Sequence, residues 1–125
     1  METIRIFLAD GEARVRYALG ILIARSPQFL IVGSATTGTG LEERIQVVQP
    51  DVLLLDWTLP GGSVTKLAKS LKGQFPNMAI VAISSRPEHR PAALAAGADD
   101  FISKIDGPDQ LLDKLLAHQP DSNVI

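Results

Sequence analysis

Cysteine is absent from the 125 residues of this chain, and histidine occurs only at positions 89 and 118. Without cysteine, the fold cannot depend on disulfide bonds. Neither histidine has a partner at the spacing of a zinc site, so we expect no zinc. The phosphate-binding pattern G-x-x-x-x-G-K-[ST] is also missing, which argues against a nucleotide site of that type.

The chain also lacks an excess of basic residues and any long apolar run. Lys and Arg total 12 against 14 Asp and Glu, a net charge of −2, so we expect no direct nucleic-acid binding by this domain. The strongly apolar runs, residues 4–9, 52–55 and 80–83, are far shorter than the roughly 20 residues that cross a membrane. No positive charge precedes the first run, so we expect no signal peptide and a cytoplasmic location.

Strand-like apolar runs alternate with segments of helical periodicity. The runs typical of strands are residues 4–9, 29–33, 51–56, 78–83 and 100–103. Helical segments begin near residues 12, 41, 63, 92 and 109. We expect Thr39 and Ser63 to cap the second and third helices, and Gly97 to end the fourth. Five strand–helix units predict one α/β domain with a doubly wound parallel sheet.

Polar side chains stand where four of the predicted strands end. Asp10 follows the first strand, Asp56 ends the third, Ser84 follows the fourth and Lys104 follows the fifth. Because binding sites in open α/β sheets lie outside the carboxyl ends of the strands, we expect these groups to converge. The carboxylates suit Mg²⁺, an aspartate beside that ion can attack a phosphoryl donor, and the ammonium and hydroxyl can hold the added oxygens.

Five short motifs surround these positions in a fixed order: LAD at 8–10, PDVLLLD at 50–56, LPG at 59–61, AGAD at 96–99 and FISK at 101–104. In this order and spacing the chain resembles the response-regulator receiver domains of two-component signalling, members of the CheY-like superfamily. The resemblance implies a flavodoxin-like (βα)5 fold with five parallel strands in the order 2-1-3-4-5. We therefore expect a receiver domain over residues 1–118 and a flexible tail over residues 119–125.

The resemblance also implies roles for individual residues. Asp56 is the residue that a sensor histidine kinase or a phosphotransfer protein would phosphorylate. Ser84 is the switch hydroxyl, Lys104 is the cation that contacts the phosphoryl group, and Phe101 is the aromatic residue that swings inward on activation. The implied output surface consists of the fourth helix, the fifth strand and the last helix, and it would contact a downstream protein or a second copy of the chain.

The acidic pocket departs from the family pattern at Gly11, which stands where the family usually has a second acid. The Mg²⁺ ligands that the resemblance implies are Asp10, Asp56 and the backbone carbonyl of Thr58, and Glu12 is a further candidate. Alternatively, Glu12 is a first-turn acid that interacts with the helix dipole. Because the missing carboxylate normally binds the metal directly, we expect weak Mg²⁺ binding and slow or absent phosphorylation.

Three function classes follow from these residues. The first is a phosphoacceptor receiver, and the second is a pseudo-receiver that acts as a phosphorylation-independent interaction module, which Gly11 favours. The third is a phosphatase-type enzyme with Asp56 as nucleophile. Thr58 argues against it, because such enzymes need a second acid at that position, so we expect the first class and no enzymatic activity. Arg86, His89 and Arg90 either give the output face a local positive patch or belong to a solvated loop, and we expect the solvated loop.

Overall fold

The structure of the chain, a computed structural model, describes residues 3–118. The predicted tail, residues 119–125, lies outside the described residues. The strands are β1 (Ile4–Ala9), β2 (Phe29–Ala35), β3 (Val52–Asp56), β4 (Ala79–Ser84) and β5 (Asp100–Ser103). The α-helices are α1 (Ala13–Ala24), α2 (Leu41–Val48), α3 (Val64–Gln74), α4 (Arg90–Ala95) and α5 (Pro108–Ala117). Within residues 3–118, every helix is too short or too polar to cross a lipid bilayer.

The strands form a single parallel sheet in the order β2-β1-β3-β4-β5. This order confirms the predicted flavodoxin-like, doubly wound fold. In the register, Ala9 pairs with Leu55, and Asp56 pairs with Ile83. The carboxyl ends of β1, β3 and β4 therefore lie side by side, which brings the residues after each strand to one edge of the sheet.

Strand β3 is buried along its whole length, and its side chains alternate between two hydrophobic cores. Leu53 and Leu55 belong to the core that includes side chains of α2, α3 and α4, whereas Val52 and Leu54 belong to the core that includes those of α1 and α5. Helices on both faces explain why this strand is a continuous apolar run. The run ends at Asp56, which is also buried and is the first polar side chain of the strand.

Helix ends agree with the sequence at two of three predicted positions. Ser63 caps α3, because its hydroxyl accepts a hydrogen bond from the backbone N–H of Lys66. Gly97 follows α4 with a φ of 107°, a left-handed conformation that suits glycine. The prediction that Thr39 caps α2 was wrong. Gly40 takes that position with a φ of 75°, so the chain turns into the helix one residue later.

Two prolines shape the segment between β4 and α4. Pro87 starts a short 3₁₀ helix, Pro87–His89, and Pro91 lies in the first turn of α4. At these positions the missing N–H of proline costs no hydrogen bond. The fourth helix consequently begins at Arg90, close to the position that the sequence predicts, and the 3₁₀ helix holds the residues before it in a defined conformation.

Candidate functional site

Two aspartates and a lysine meet at the carboxyl edge of the sheet. Asp10 and Asp56 are only 1% and 2% exposed. The ammonium nitrogen of Lys104 lies 3.2 Å from Asp10 Oδ2 and 3.7 Å from Asp56 Oδ1. A single cation thus stands between two buried carboxylates that would otherwise repel each other.

The turn after β3 fixes one oxygen of the Asp56 carboxylate. Asp56 Oδ1 accepts hydrogen bonds from the backbone N–H of Thr58 at 3.0 Å and from its hydroxyl at 2.9 Å. The backbone N–H of Leu59 donates to the Asp56 carbonyl, which closes the turn. These contacts, and the ion pair with Lys104, use Oδ1, and no hydrogen bond within residues 3–118 involves Oδ2.

Asp10 has one satisfied oxygen and one orphaned oxygen. Its Oδ1 accepts a hydrogen bond from the backbone N–H of Glu12 at 2.9 Å. Its Oδ2 is buried and has no well-formed hydrogen bond within residues 3–118, and the Lys104 ammonium lies 3.2 Å from it as an ion-pair partner. Burial raises the pKa of the Asp10 carboxyl, and the charge of Asp56 adds to this effect, against the lowering effects of Glu12 and Lys104.

Glu12 lies at the rim of the same site. Its side chain is 68% exposed, and its Oε1 is 3.7 Å from the Lys104 ammonium. Glu12 occupies the N-cap position of α1 without a side-chain capping bond. Its carboxylate therefore faces the lysine of the site, and Lys104 contacts three acids in all.

The ring of Pro60 lies close to Gly11, the position of the missing acid. A Cβ atom on Gly11 would lie 2.9 Å from Cδ and 3.3 Å from Cγ of Pro60. Real Cβ atoms do not approach other atoms as closely as the shorter of these distances, and the proline ring cannot rotate away as a flexible side chain can. A side chain at position 11 would therefore require the loop after β3 to shift at Pro60.

A small divalent cation fits the donors that remain. Mg²⁺ is commonly bound through one or two carboxylates, with phosphate oxygens and water completing its octahedral shell. The orphaned Oδ2 of Asp10 and the carboxylate of Asp56 supply such a pair. Across residues 3–118, however, no cluster of three or more acidic or histidine side chains is arranged around a metal position. The donor set suits an ion that depends on water and phosphate for most of its ligands.

Ser84 is fully buried, and a histidine holds its hydroxyl. Ser84 Oγ lies 2.8 Å from Nδ1 of His89 and accepts a hydrogen bond from the backbone N–H of Arg86 at 3.0 Å. The expectation of a purely solvated loop was therefore wrong for His89, which is partly buried against Ser84. The sequence gives no signal for this contact, which depends on how the 3₁₀ helix Pro87–His89 turns.

Phe101 points into the core beside the site. It is 4% exposed and belongs to the same core as Trp57, Ala93 and Ala96. Its register partner on β4 is Ala82, a small residue that leaves room for the ring. The aromatic ring thus has an inward position in this structure.

The sequence profile of the response regulator receiver domain matches residues 6–116. The chain belongs to this family. Phosphorylation of an aspartate is general among receiver domains, and they generally bind Mg²⁺ at the phosphorylation site. The pair of buried aspartates at the end of the sheet is the part of this receiver domain that agrees with both properties.

Known proteins share this domain in different contexts. A protein-glutamate methylesterase/protein-glutamine glutaminase of Rhodopseudomonas palustris is 31% identical over 106 residues, which cover 82% of this chain and 29% of that protein. The nitrate/nitrite response regulator NarL of Escherichia coli K12 is 32% identical over 119 residues, which cover 91% of this chain and 54% of NarL. The chain therefore spans about a third to a half of the length of the curated relatives it matches.

A solved structure supports the same assignment. The response regulator domain of Thermotoga maritima CheB is 26% identical, with a TM-score of 0.82, and the match covers 94% of this chain and 96% of that domain. Receiver domains are thus found in proteins named as regulators and in proteins named as enzymes. The receiver fold alone does not assign either kind of output to this chain.

Proposed function

We propose that this receiver domain accepts a phosphoryl group on Asp56 from a sensor histidine kinase or a phosphotransfer protein. The observation that carries the proposal is the pair of buried aspartates, 1% and 2% exposed, joined by the Lys104 ammonium. An oxygen of Asp56 attacks the phosphorus of a phosphohistidine. The new O–P bond forms as the P–N bond breaks, and the imidazole nitrogen keeps the electron pair and takes a proton from solvent.

The residues around Asp56 have separate tasks in this proposal. The Thr58 N–H and hydroxyl hold Oδ1, so Oδ2 is the atom that attacks. Lys104 moves its ammonium from Asp10 and Asp56 to an oxygen of the transferred phosphoryl group, where a charge-assisted contact stabilises the added charge. Ser84 donates its hydroxyl hydrogen to another phosphoryl oxygen.

The proposed metal ligands are Asp10, Asp56 and the backbone carbonyl of Thr58. When bound, Mg²⁺ supplies positive charge that stabilises the phosphoryl oxygens during transfer. We propose weak binding, because Gly11 offers no carboxylate where the family usually has one. Glu12 contributes negative charge at the rim.

The proposed output surface is formed by α4, β5 and α5. Phe101 connects the site to this surface, since it lies on β5 and packs in the core that includes Ala93 of α4. We propose that a downstream protein or a second copy of the chain binds there, and that the change at Ser84 and Phe101 alters its affinity. The cytoplasmic location stays a prediction.

The test is to incubate the protein with Mg²⁺ and a small phosphodonor, and to measure intact mass and Trp57 fluorescence. We expect one phosphoryl adduct on the wild type and none on Asp56→Asn. Trp57 is a suitable reporter because it follows Asp56 directly and is buried. A wild type without adduct at millimolar Mg²⁺, or an adduct that persists in Asp56→Asn, would overturn the proposal.

One observation favours a second candidate, the pseudo-receiver that acts without phosphorylation. It is Gly11, which stands where the family usually has a metal-binding acid. In this case the surface formed by α4, β5 and α5 binds its partner whether or not Asp56 is phosphorylated. The two candidates differ in the mass experiment, because the pseudo-receiver forms no adduct.

A further inference from the structure

The hydrogen bond between Ser84 and His89 has a direction that the surroundings determine. Ser84 Oγ is buried and, within residues 3–118, has two hydrogen-bond neighbours, the backbone N–H of Arg86 at 3.0 Å and Nδ1 of His89 at 2.8 Å. The amide is a donor and cannot accept the hydroxyl hydrogen. A buried hydroxyl hydrogen without an acceptor is costly, so Nδ1 of His89 is the acceptor, and Nε2 carries the proton of the neutral ring.

A serine hydroxyl has one hydrogen, and the proposed function of Ser84 requires that hydrogen. In the structure it is used in the bond to His89. In the phosphorylated state it would have to reach an oxygen on Asp56, whose register partner, Ile83, directly precedes Ser84. The two hydrogen bonds therefore exclude each other.

We propose that His89 is a positioning residue that holds the switch hydroxyl of Ser84 in the unphosphorylated protein and releases it on phosphorylation. This inference rests on the proposed function of Asp56 and Ser84. The hydrogen bond to His89 must break before Ser84 contacts the phosphoryl group, which reduces the net free energy gained from that contact. The strength of the Ser84–His89 bond thus affects how readily the domain changes to its phosphorylated conformation.

The 3₁₀ helix before α4 fixes the position of His89. The residue ends the 3₁₀ helix that Pro87 begins, and its backbone N–H donates to the carbonyl of Arg86 at 3.1 Å. The Arg86 N–H also donates to Ser84 Oγ. A backbone group and the His89 side chain of the same segment therefore both hydrogen-bond to Ser84. Release of Ser84 therefore changes the contacts of the segment that leads into α4, on the proposed output surface.

The experiment measures the dissociation constant of beryllofluoride, a phosphoryl mimic, at saturating Mg²⁺ through Trp57 fluorescence. His89→Leu removes the acceptor, so we expect affinity to rise about fivefold, the factor that corresponds to one net hydrogen bond. His89→Asn offers an amide oxygen near the position of Nδ1, so we expect it to restore affinity close to that of the wild type. In Ser84→Ala, the change His89→Leu should have no effect.

Nitrogen NMR of the His89 ring tests the bond directly in the wild-type protein. We expect Nδ1 to be unprotonated and Nε2 to be protonated, with a shift of the Nδ1 signal in Ser84→Ala and on addition of beryllofluoride. A protonated Nδ1 in the free protein, or the same affinity gain from His89→Leu with and without Ser84, would overturn the role of His89 and leave Asp56 phosphorylation standing. If no variant binds beryllofluoride or forms a phosphoryl adduct, the proposed function fails and the role of His89 fails with it, even where the NMR signals show the hydrogen bond.

Discussion

The ring of Pro60 lies against Gly11, with its Cδ 2.9 Å from the point where a Cβ atom of residue 11 would stand. The two residues belong to different loops, one after β1 and one after β3. Their contact joins these loops above the buried Asp10 and Asp56. The acidic pocket therefore lacks its usual carboxylate, and a side chain added at residue 11 would require Pro60 to shift.

This contact predicts that Gly11→Asp alone will lower the stability of the domain, so that any gain in Mg²⁺ binding comes with a loss of stability. We expect a loss of about 1–3 kcal/mol in the free energy of unfolding, typical of overpacking, as measured by urea denaturation. The double variant Gly11→Asp/Pro60→Ala removes the colliding ring atoms, so it should recover most of the stability and bind Mg²⁺ more tightly than the wild type. Pro60→Ala is the matched control. A Gly11→Asp variant as stable as the wild type would show that the loop yields easily.

Asp10→Asn should stabilise the domain at neutral pH and weaken its Mg²⁺ binding. Burial raises the pKa of Asp10 above the ordinary value of 3.8, so the folded state binds a proton more tightly than the unfolded state does. Stability is therefore lost as pH rises from 3.8 through the raised folded pKa, and the ionised carboxylate destabilises the fold above it. We therefore expect Asp10→Asn to raise the free energy of unfolding at neutral pH.

The control for Asp10→Asn is its pH dependence. The stability difference from the wild type should shrink in acid, where the wild-type carboxyl is itself protonated and neutral. Urea denaturation at neutral and acid pH measures this difference. An equal stability gain at both pH values would mean that charge is not its cause.

The fold class was predictable because it follows from apolar runs and helical periodicities that are visible in the sequence. A strand buried on both faces must be apolar at every position, and residues 52–55 are. The order of the strands needed the family resemblance, and the register is known only from the structure. The convergence of Asp10, Asp56 and Lys104 was predictable for the same reason, because each of the three residues stands at or directly after the end of a strand.

Two features of the site were not predictable, because loop paths decide them. Nothing in the local sequence indicates that Pro60 reaches Gly11, since the contact depends on how the loop after β3 crosses the edge of the sheet. Likewise, His89 looked like a solvated residue of a charged segment. Only the 3₁₀ helix after Pro87 turns its ring onto the buried Ser84.

Asp100 is the first residue of β5, on the proposed output surface. Asp100→Asn should lower the stability of the domain at neutral pH. Burial alone would raise the pKa of Asp100, but hydrogen bonds from Lys114 at 2.9 Å and from the backbone N–H of Phe101, with His118 nearby, lower it. Stability from a lowered pKa is present above 3.8 and is lost as pH falls through the folded value. We expect a loss of about 0.5–1 kcal/mol at neutral pH, discounted for the partial exposure of the pair.

The measurement for Asp100→Asn is thermal or urea unfolding over a series of pH values. The difference from the wild type should disappear in strong acid, and Lys114→Met should reproduce most of the loss at neutral pH. The double variant should lose little more than either single variant, because the two residues act as one pair. Fully additive losses would show that the pair is not the source of the effect.

Lys104→Gln tests the cation that joins the two buried aspartates. The substitution keeps most of the side-chain length and removes the charge that lies 3.2 Å from Asp10 and 3.7 Å from Asp56. A charge-assisted hydrogen bond contributes about 1.5–3 kcal/mol, so we expect beryllofluoride affinity to fall by roughly tenfold to a hundredfold. Lys104→Arg keeps the charge and should retain more of the affinity than Lys104→Gln. Equal losses in both variants would mean that the shape of the lysine, rather than its charge, matters at this position.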